Sequence, residues 1–364
     1  MARFTRTRAD VTAQLAPSAP ARAPRPHHRL PASAVTAVLL VILILSALAS
    51  LSLGASGLRP WEIWARELTL SERAILIDIR LPRLALGLLV GAGLAMSGAL
   101  MQGLFRNPLA DPGLVGVGAG AGLGAVGAIV LGSLLPLGLQ AALGPHLVPL
   151  SAFLGGWVAV LILHRVAHLR GQTSIATLLL AGIVLGALAG ALTGILIFLA
   201  DDAQLRDLTF WGLGSLAGAS WTKVFAAAPI ILAGMALTPF LAHGLDAMAL
   251  GEAVARHLGQ PVERIKRAAI LAVAAMTGAA VAVSGGIGFL GIVVPHILRL
   301  AIGPGHRLLL PLSALFGAAL LVGADTIARL VVAPAELPIG IIMALIGAPV
   351  FLWILLARRA DLEV

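Results

Sequence analysis

The sequence contains no cysteine, no tyrosine and only two lysines, and charged residues make up 11% of its 364 residues. Without cysteine, disulfides and thiolate chemistry are excluded. The absence of tyrosine removes one common ligand for ferric iron. Soluble domains average about 25% charged residues, so this chain cannot cover itself with a water-facing polar surface.

Motifs of common enzymes are also missing. Neither Lys223 nor Lys266 follows a glycine, so no Walker A loop is possible and P-loop hydrolysis of ATP is excluded. The patterns H-E-x-x-H and G-x-S-x-G and any cluster of Cys and His are absent. We therefore predict that the chain is not an enzyme and binds no metal or cofactor of its own.

Apolar runs fill the sequence instead. Hydrophobic residues make up 59% of the chain, and the mean hydropathy is +1.02. Runs of about 20 residues cross roughly 30 Å of hydrocarbon as helices, and the alternation typical of membrane strands is absent. The sequence predicts an all-α polytopic membrane protein with ten transmembrane helices. The predicted spans are Ser33 to Leu53, 84–105, 114–134, 147–166, 175–199, 224–242, 268–284, 287–302, 309–328 and 338–356.

The charged segments predict the topology. Residues 1–31 form an Ala-, Pro- and Arg-rich tail that we expect to be disordered, and residues 32–364 form the membrane domain. A signal peptide cleaved after Ala49 is the alternative for the first run. Ten spans place both termini on one side, and basic segments at 164–170, 256–267, 299–307 and 358–359 assign that side to the cytoplasm. Topology thus explains the net charge of +9, and nucleic acid is not an expected partner.

Residues 59–83 break this rule. They place five arginines on the outer side, partly balanced by acidic residues, so these arginines need a use there. The arginines are Arg59, Arg66, Arg73, Arg80 and Arg83. Pro82, between the last two, would suit the start of a helix.

Ionisable residues are scarce inside the predicted spans. Asp325 is the clearest intramembrane acid, and Arg329, four residues later, is its expected ion-pair partner. His296 is expected to be a packed histidine rather than a metal or haem ligand. A secondary carrier or channel, the alternative class of function, would require more buried ionisable groups. A membrane-embedded hydrolase would require a nucleophile and base, or a metal set, that the sequence does not contain.

Glycines recur at every fourth position in two of the spans. One row is Gly116, Gly120 and Gly124, and the other is Gly182, Gly186, Gly190 and Gly194. Such rows line one helix face and allow a neighbouring backbone to approach closely. We expect both rows to pack helices together, and close-packed glycine faces also suit helices that slide.

A short amphipathic helix is predicted within the polar segment 243–267. In L-G-E-A-V-A-R-H-L-G, from Leu250 to Gly259, apolar or small residues occupy positions distinct from the charged ones. One interpretation is a helix that lies on the lipid surface. The other is a docking helix for a cytoplasmic partner, which the absence of a nucleotide-binding motif makes attractive.

Long ordered stretches of the chain resemble the permease family of iron–siderophore, haem and cobalamin ABC importers. The resemblance covers nearly everything from Arg80 onward, and the N-terminal tail falls outside it. Two stretches are RLPRLALGLLVGAGLAMSGALMQGLFRNPLADPGLVGV and SGGIGFLGIVVPHILRLAIGPGHRLLLP. The others are LLLAGIVLGALAGALTG, FWGLGSLAGASW, LGEAVARHLG and ADTIARLVVAPAELPIGIIMALIGAPVFLWILL.

The resemblance implies an architecture like that of cobalamin permeases. Ten helices per subunit would form a homodimer in the bacterial inner membrane, with the transport path on its twofold axis. Two cytoplasmic ATPase subunits, which carry ATP and Mg, and a periplasmic substrate-binding protein would complete the importer.

The resemblance also assigns roles to residues. Arg80, Arg83 and Arg329 match arginines that contact acidic residues of the binding protein, which explains basic residues on the outer face. Asn107 and Leu109, with Thr173 and Ser174, match segments that narrow the cytoplasmic exit. The segment from Leu250 matches the helix that sits in the ATPase cleft. Its coupling residues would be Gly251, Glu252, Ala255, Arg256, Leu258 and Gly259.

The cargo is narrowed by the same resemblance. The stretch from Ser284 to Pro311 is most similar to haem permeases, so haem import is the expected function. Ferric siderophores and cobalamin are the alternatives, because a wide path of small residues suits any bulky planar or macrocyclic cargo.

Overall fold

The computed structural model describes residues 30–54, 61–62, 67–169 and 172–362, and most of these are helical. The predicted disordered tail, up to residue 29, and Arg59 and Arg66 lie outside the described residues. The helices are α1 (Ala32–Ser52), α2 (Leu70–Ala74), α3 (Leu81–Leu104), α4 (Val117–Leu131), α5 (Leu137–Leu143), α6 (Leu147–Ala167), α7 (Ile175–Leu199), α8 (Asp202–Gly212), α9 (Trp221–Ala249), α10 (Glu252–His257), α11 (Val262–Ser284), α12 (Leu290–Ile302), α13 (His306–Val331) and α14 (Ile339–Leu362).

Shorter elements connect these helices. A π-helical turn covers Ile75–Arg80, and 3₁₀ turns cover Pro112–Val115, Gly132–Leu134 and Gly144–His146. Two-residue strands, β1 (His168–Leu169) and β2 (Gln172–Thr173), form an antiparallel hairpin between α6 and α7, with His168 opposite Thr173.

The ten predicted spans are confirmed as apolar helices. Within the described ranges, eight helical segments are long and apolar enough to cross a membrane, and α12 and the Ile339–Trp353 part of α14 are shorter apolar helices. At 1.5 Å per residue, the 13 residues of α12 reach only about 20 Å. Residues 285–289 before α12 are non-helical, with Gly285 and Ile287 buried and Gly288 exposed. The chain is held there by the Ser215 N–H, which donates to the Ser284 carbonyl at 2.8 Å.

Helix α3 is the centre of the bundle and packs against α9, α11, α12 and α13. All of its residues from Val90 to Leu104 are buried. With α2 and the π-helical turn it forms a continuous helical segment, Leu70–Leu104. The α-helix α3 itself starts at Leu81 with Pro82 in its first turn, as predicted, but the chain before it is already helical. Because the Leu81 N–H donates to the Leu76 carbonyl five residues earlier, the widened turn carries the helix into the proline.

The two glycine rows have different surroundings. A Cβ atom added to Gly120 would lie 2.5 Å from the Gly155 carbonyl oxygen, so the predicted close packing is confirmed between α4 and α6. In α7, a Cβ atom added to Gly186, Gly190 or Gly194 would meet no described atom within 4 Å. Gly182, the first glycine of this row, is buried, and a Cβ atom added to Gly116 would lie 3.5 Å from its carbonyl oxygen, so the predicted packing is confirmed there. The other three glycines are not covered by the described part of the chain.

Antiparallel helices define two ends of the bundle. Arg83, near the start of α3, meets Asp325, near the end of α13; we call this the Arg83 end. Helix α10 and the start of α13 lie at the opposite end, which we call the α10 end. The Leu30 N–H donates to the Ala301 carbonyl at 3.0 Å, so the described chain begins at the α10 end, beside the last turn of α12.

Candidate functional site

Arg83 is the centre of a buried ion-pair cluster. Its Nε lies 3.1 and 3.0 Å from the two carboxylate oxygens of Asp325, and its terminal nitrogens each donate to Glu336 at 2.9 Å. Arg83 is 6% exposed and Asp325 is 2% exposed. The loop after α13 brings Glu336 into reach, because the Leu337 N–H donates back to the Ala328 carbonyl at 3.1 Å. Every side-chain nitrogen of Arg83 thus has a carboxylate partner within the chain.

Arg329 and Arg80 extend this cluster to α1. The Arg329 Nε lies 3.3 Å from Asp325, which confirms the predicted ion pair, and an Arg329 terminal nitrogen donates to the Ser50 carbonyl at 3.2 Å. Arg80 donates to the carbonyl of Leu51. The last carbonyls of a helix have no partner within it, so the two arginines cap α1. They therefore join α1, α3 and α13 at the Arg83 end.

The structure thus brings the three predicted docking arginines together but turns them inward. Arg80 and Arg83 are buried, and the Arg329 side chain is 10% exposed. The most accessible member of the cluster is Glu336, whose side chain is 36% exposed. No feature of the sequence revealed that Arg83 pairs with carboxylates 242 and 253 residues away. The docking role of the arginines stays a prediction.

Asn107 and Leu109, the predicted exit residues, form a turn after α3. The Asn107 side-chain oxygen accepts the Leu109 N–H at 3.0 Å, which fixes this turn locally. Asn107 also lines a cavity of about 550 Å³ at the α10 end, together with Arg106 and Arg299. The cavity beside this turn is thus lined by two arginines and by Asp246. The gating role stays a prediction.

Thr173 and Ser174 lie where the hairpin meets α7. Thr173 is the last residue of β2, and the Ser174 hydroxyl caps α7 by accepting the Thr177 N–H at 3.2 Å. Ser174 therefore has a structural role that the family resemblance did not indicate. The gating role of these two residues also stays a prediction.

Asp111 is an acidic residue that the sequence argument missed. Its carboxylate accepts the Gly113 N–H at 2.7 Å and lines a cavity of about 390 Å³ with Thr277. The Thr277 hydroxyl is buried and has no hydrogen-bond partner among the described residues. Burial raises the pKa of the Asp111 carboxyl, and the Gly113 hydrogen bond opposes this only in part. The sequence feature that could have identified this residue is its position in the Asn-Pro-Leu-Ala-Asp-Pro turn between two apolar spans.

Ion pairs hold α10 against α11. Lys266, which is buried, lies 2.7 Å from Glu252 and 3.4 Å from Glu263. Arg256 lies 3.7 Å from Glu252 and 3.5 Å from Glu263, and Ala255 packs into the core. The helix is rigidly seated as a result.

The apolar side of α10 faces outward. Leu250, Val254 and Leu258 are 68%, 44% and 59% exposed, and we call these three residues the α10 face. Gly251 and Gly259 flank the helix with φ angles of 112° and 77°, which disfavour any other residue. An exposed apolar row on a helix that is already anchored fits either a protein partner or lipid. The coupling role stays a prediction.

The described residues contain no group of three or more His, Asp or Glu side chains that could hold a metal ion. The interactions described at the two ends are ion pairs, helix caps and exposed apolar side chains.

Comparisons with known proteins agree with this description. The FecCD transport family matches residues 39–357. The chain is 44% identical over 321 residues to the haemin transport system permease HmuU of Yersinia pestis, covering 88% of this chain and 95% of that protein. It is 45% identical over 289 residues to the cobalamin import permease BtuC of Halobacterium salinarum, covering 79% and 75%.

A solved structure has the same fold. It is described as an inward-facing conformation of a metal-chelate-type ABC transporter, and it superposes with a TM-score of 0.77 at 31% identity over 88% of this chain and 97% of that one. The family match extends over most of the sequence and includes both the Arg83 cluster and α10. The chain is an integral membrane protein that belongs to the FecCD transport family.

Proposed function

We propose that this chain is the permease subunit of a binding-protein-dependent ABC importer that carries haem across the bacterial inner membrane. The observation that carries the proposal is its 44% identity to a haemin permease over 95% of that permease's length. A helical membrane domain without a nucleotide-binding motif supports the same role, because the energy must then come from another subunit.

The three uncovered glycines of α7 support a homodimer. In the most apolar window of this helix only 11% of residues are buried, and Gly186, Gly190 and Gly194 meet no described atom. Glycine rows allow close helix contact in membranes. A second copy packed on this face would place a transport path between two subunits.

The two ends support two different partners. The α10 face offers a cytoplasmic ATPase an apolar contact, and the ion pairs of Glu252 and Lys266 would transmit its movement to α11. ATP and Mg would be held by that ATPase. The Arg83 end would receive the periplasmic binding protein, with both termini of the permease in the cytoplasm. A partner carboxylate there would have to compete with Glu336 for Arg83.

Cobalamin is the second candidate cargo. The supporting observation is 45% identity to a cobalamin permease, although over a smaller share of both chains. Ferric siderophores are a third, which the family resemblance leaves open.

Competition for uptake tests the cargo. The chain would be reconstituted in liposomes with its cognate ATPase and binding protein, and ATP-dependent accumulation of haem would be measured with cobalamin or a ferric siderophore in excess. We expect haem to accumulate and neither competitor to reduce its rate. Accumulation of cobalamin or a siderophore in place of haem would contradict the haem assignment and leave the importer assignment intact.

A further inference from the structure

A deep apolar groove of about 890 Å³ runs along the side of the bundle. Its floor is formed by α3, including Ala92 and Met96, and its walls by α9 and α13, with α1 contributing Leu43. Alanines such as Ala236 and Ala314 keep it open. The groove has no part in the roles considered above.

The length of the groove matches one leaflet of a bilayer. Its α9 wall runs from Leu232 to His243 and its α13 wall from His306 to Ala318. At 1.5 Å per residue these walls are about 16 and 18 Å long. Half of a hydrocarbon core of about 30 Å is about 15 Å. A groove of this length fits the acyl chains of a lipid from the leaflet on the α10 side.

The groove becomes basic at its α10 end. Arg307 and His243 are exposed and line it there. The nearby acid, Asp246, is already engaged, because one of its oxygens accepts the His306 N–H at 2.9 Å and lies 2.6 Å from His306 Nδ1. Because Asp246 is engaged by His306, Arg307 is available to contact a lipid phosphate in the headgroup region.

From this apolar length and its basic end we propose that the groove binds one anionic phospholipid. Its acyl chains would lie between α9 and α13, and its phosphate would contact Arg307 and His243. Basic pockets between membrane helices recognise anionic headgroups in this way. The groove is lined by residues of neither α7 nor α10, so the proposal does not depend on the proposed cargo.

Native mass spectrometry of the purified full chain, stripped of loosely bound lipid by detergent exchange, tests this proposal. Phosphatidylglycerol and phosphatidylcholine would be added back separately. We expect one phosphatidylglycerol per chain, and Ala236→Phe should abolish its binding by filling the groove. The matched control is Ala233→Phe, at an exposed position of α9 outside the groove lining, which should retain the lipid.

The charge is tested separately. Arg307→Gln should weaken phosphatidylglycerol binding about fivefold, the loss expected for one basic residue near an anionic headgroup, and should weaken binding of the zwitterionic phosphatidylcholine less. Arg165→Gln, at an exposed arginine in the last turn of α6, should have no effect. Equal binding of the two lipids, or equal lipid retention by Ala236→Phe and Ala233→Phe, would overturn the proposal. Loss of self-association in Ala236→Phe alone would also overturn it, by making the groove a subunit contact.

Discussion

Arg83 illustrates how a buried charge is held in a membrane helix bundle. The guanidinium has five donors in one plane, and here two carboxylates, from α13 and from the loop after it, meet its three nitrogens at 2.9 to 3.1 Å. A charge in such a place is costly unless it is paired and hydrogen-bonded. Removal of any one of these side chains therefore leaves a charge on the others without its partner.

Removal of the arginine should expose this dependence. Arg83→Met leaves Asp325 buried with only Arg329 nearby, and we expect the free energy of unfolding to fall by about 3 kcal/mol. The double variant Arg83→Met/Asp325→Leu should recover part of the loss, because it removes the buried Asp325 carboxylate, while Arg329 and the half-exposed Glu336 each lose a partner. Thermal unfolding in detergent, followed by circular dichroism, measures both. Arg73→Met, at an exposed position of α2, is the control, and a single variant as stable as this control would contradict the account.

Asp111 should give the fold a pH dependence. Its raised pKa means that the native state favours the neutral carboxyl over the carboxylate. The resulting stability is fully present below the ordinary pKa of about 3.9 and is lost as the pH rises through the higher native value. Asp111→Asn keeps an oxygen for the Gly113 N–H and should be more stable than the native chain at about pH 7.

The measurement is the melting temperature between about pH 4 and about pH 7. The native chain should lose stability across this range relative to Asp111→Asn, whereas Asp78→Asn, at an exposed position, should follow the native chain. Parallel curves for the native chain and Asp111→Asn would show that the carboxyl does not titrate there.

At the scale of helices, the sequence pattern predicted α10 but not its orientation. Charged residues in the segment from Leu250 to Gly259 indicated an amphipathic helix, and one exists. Which side faces the protein depends on Lys266 and Glu263, which belong to the next helix, so local periodicity could not reveal it. The apolar residues Leu250, Val254 and Leu258 face outward as a result.

The α10 face should be the contact for the ATPase. Leu258→Ser removes one large apolar side chain from it, and we expect about a tenfold weaker affinity for the ATPase subunit, because burying a leucine contributes about 1.5–3 kcal/mol. Co-purification at several salt and detergent concentrations measures this. Leu134→Ser, at an exposed leucine outside α10, is the control.

Two other substitutions are less clean tests of this contact. Gly259 has a φ of 77°, so Gly259→Trp would strain the backbone directly. Glu252→Arg would break the ion pair with buried Lys266. Unchanged ATPase affinity in Leu258→Ser would favour the interpretation that α10 lies on the lipid surface.

Glycines in α3 and α7 should respond differently to alanine. A Cβ atom on Gly98 would overlap the Gly291 backbone, so Gly98→Ala should cost about 1–3 kcal/mol of stability. Gly190→Ala meets no described atom and should be neutral or gain up to about 1 kcal/mol of helix propensity in the monomer. Thermal unfolding measures both.

A larger substitution in α7 tests the dimer. If α7 is the contact between two copies, Gly190→Leu should lower the dimer fraction in size-exclusion chromatography with light scattering, with monomer stability unchanged. A dimer fraction equal to that of the native chain would contradict the proposed use of this face.

At the scale of the whole molecule, hydropathy was sufficient to predict the bundle. Each span must satisfy its own backbone hydrogen bonds in lipid, so a long apolar run almost dictates a helix. In the described part of the chain, the ten runs correspond to eight long apolar helices and two shorter ones. Hydropathy did not reveal the π-helical turn that extends the helix before Pro82.

Tertiary partners were much less predictable. Asp325 and Arg329 were paired correctly because they lie four residues apart on one helix. Arg83 with Glu336, and Asp246 with His306, depend on which helices become neighbours, and spacing along the chain does not specify that. The roles assigned to site residues from the family resemblance therefore have to be tested by substitutions at the individual contacts.

The central claim is that the chain transports only as part of an ATP-driven assembly. An omission series in liposomes tests it most directly: haem uptake is measured with the chain alone, with the ATPase added, and with the ATPase and binding protein both present, each with and without ATP. The account predicts concentrative uptake only in the complete assembly with ATP, and no ATP hydrolysis by the chain alone. Concentrative uptake by the chain alone, or none by the complete assembly for haem, cobalamin or a ferric siderophore, would contradict it.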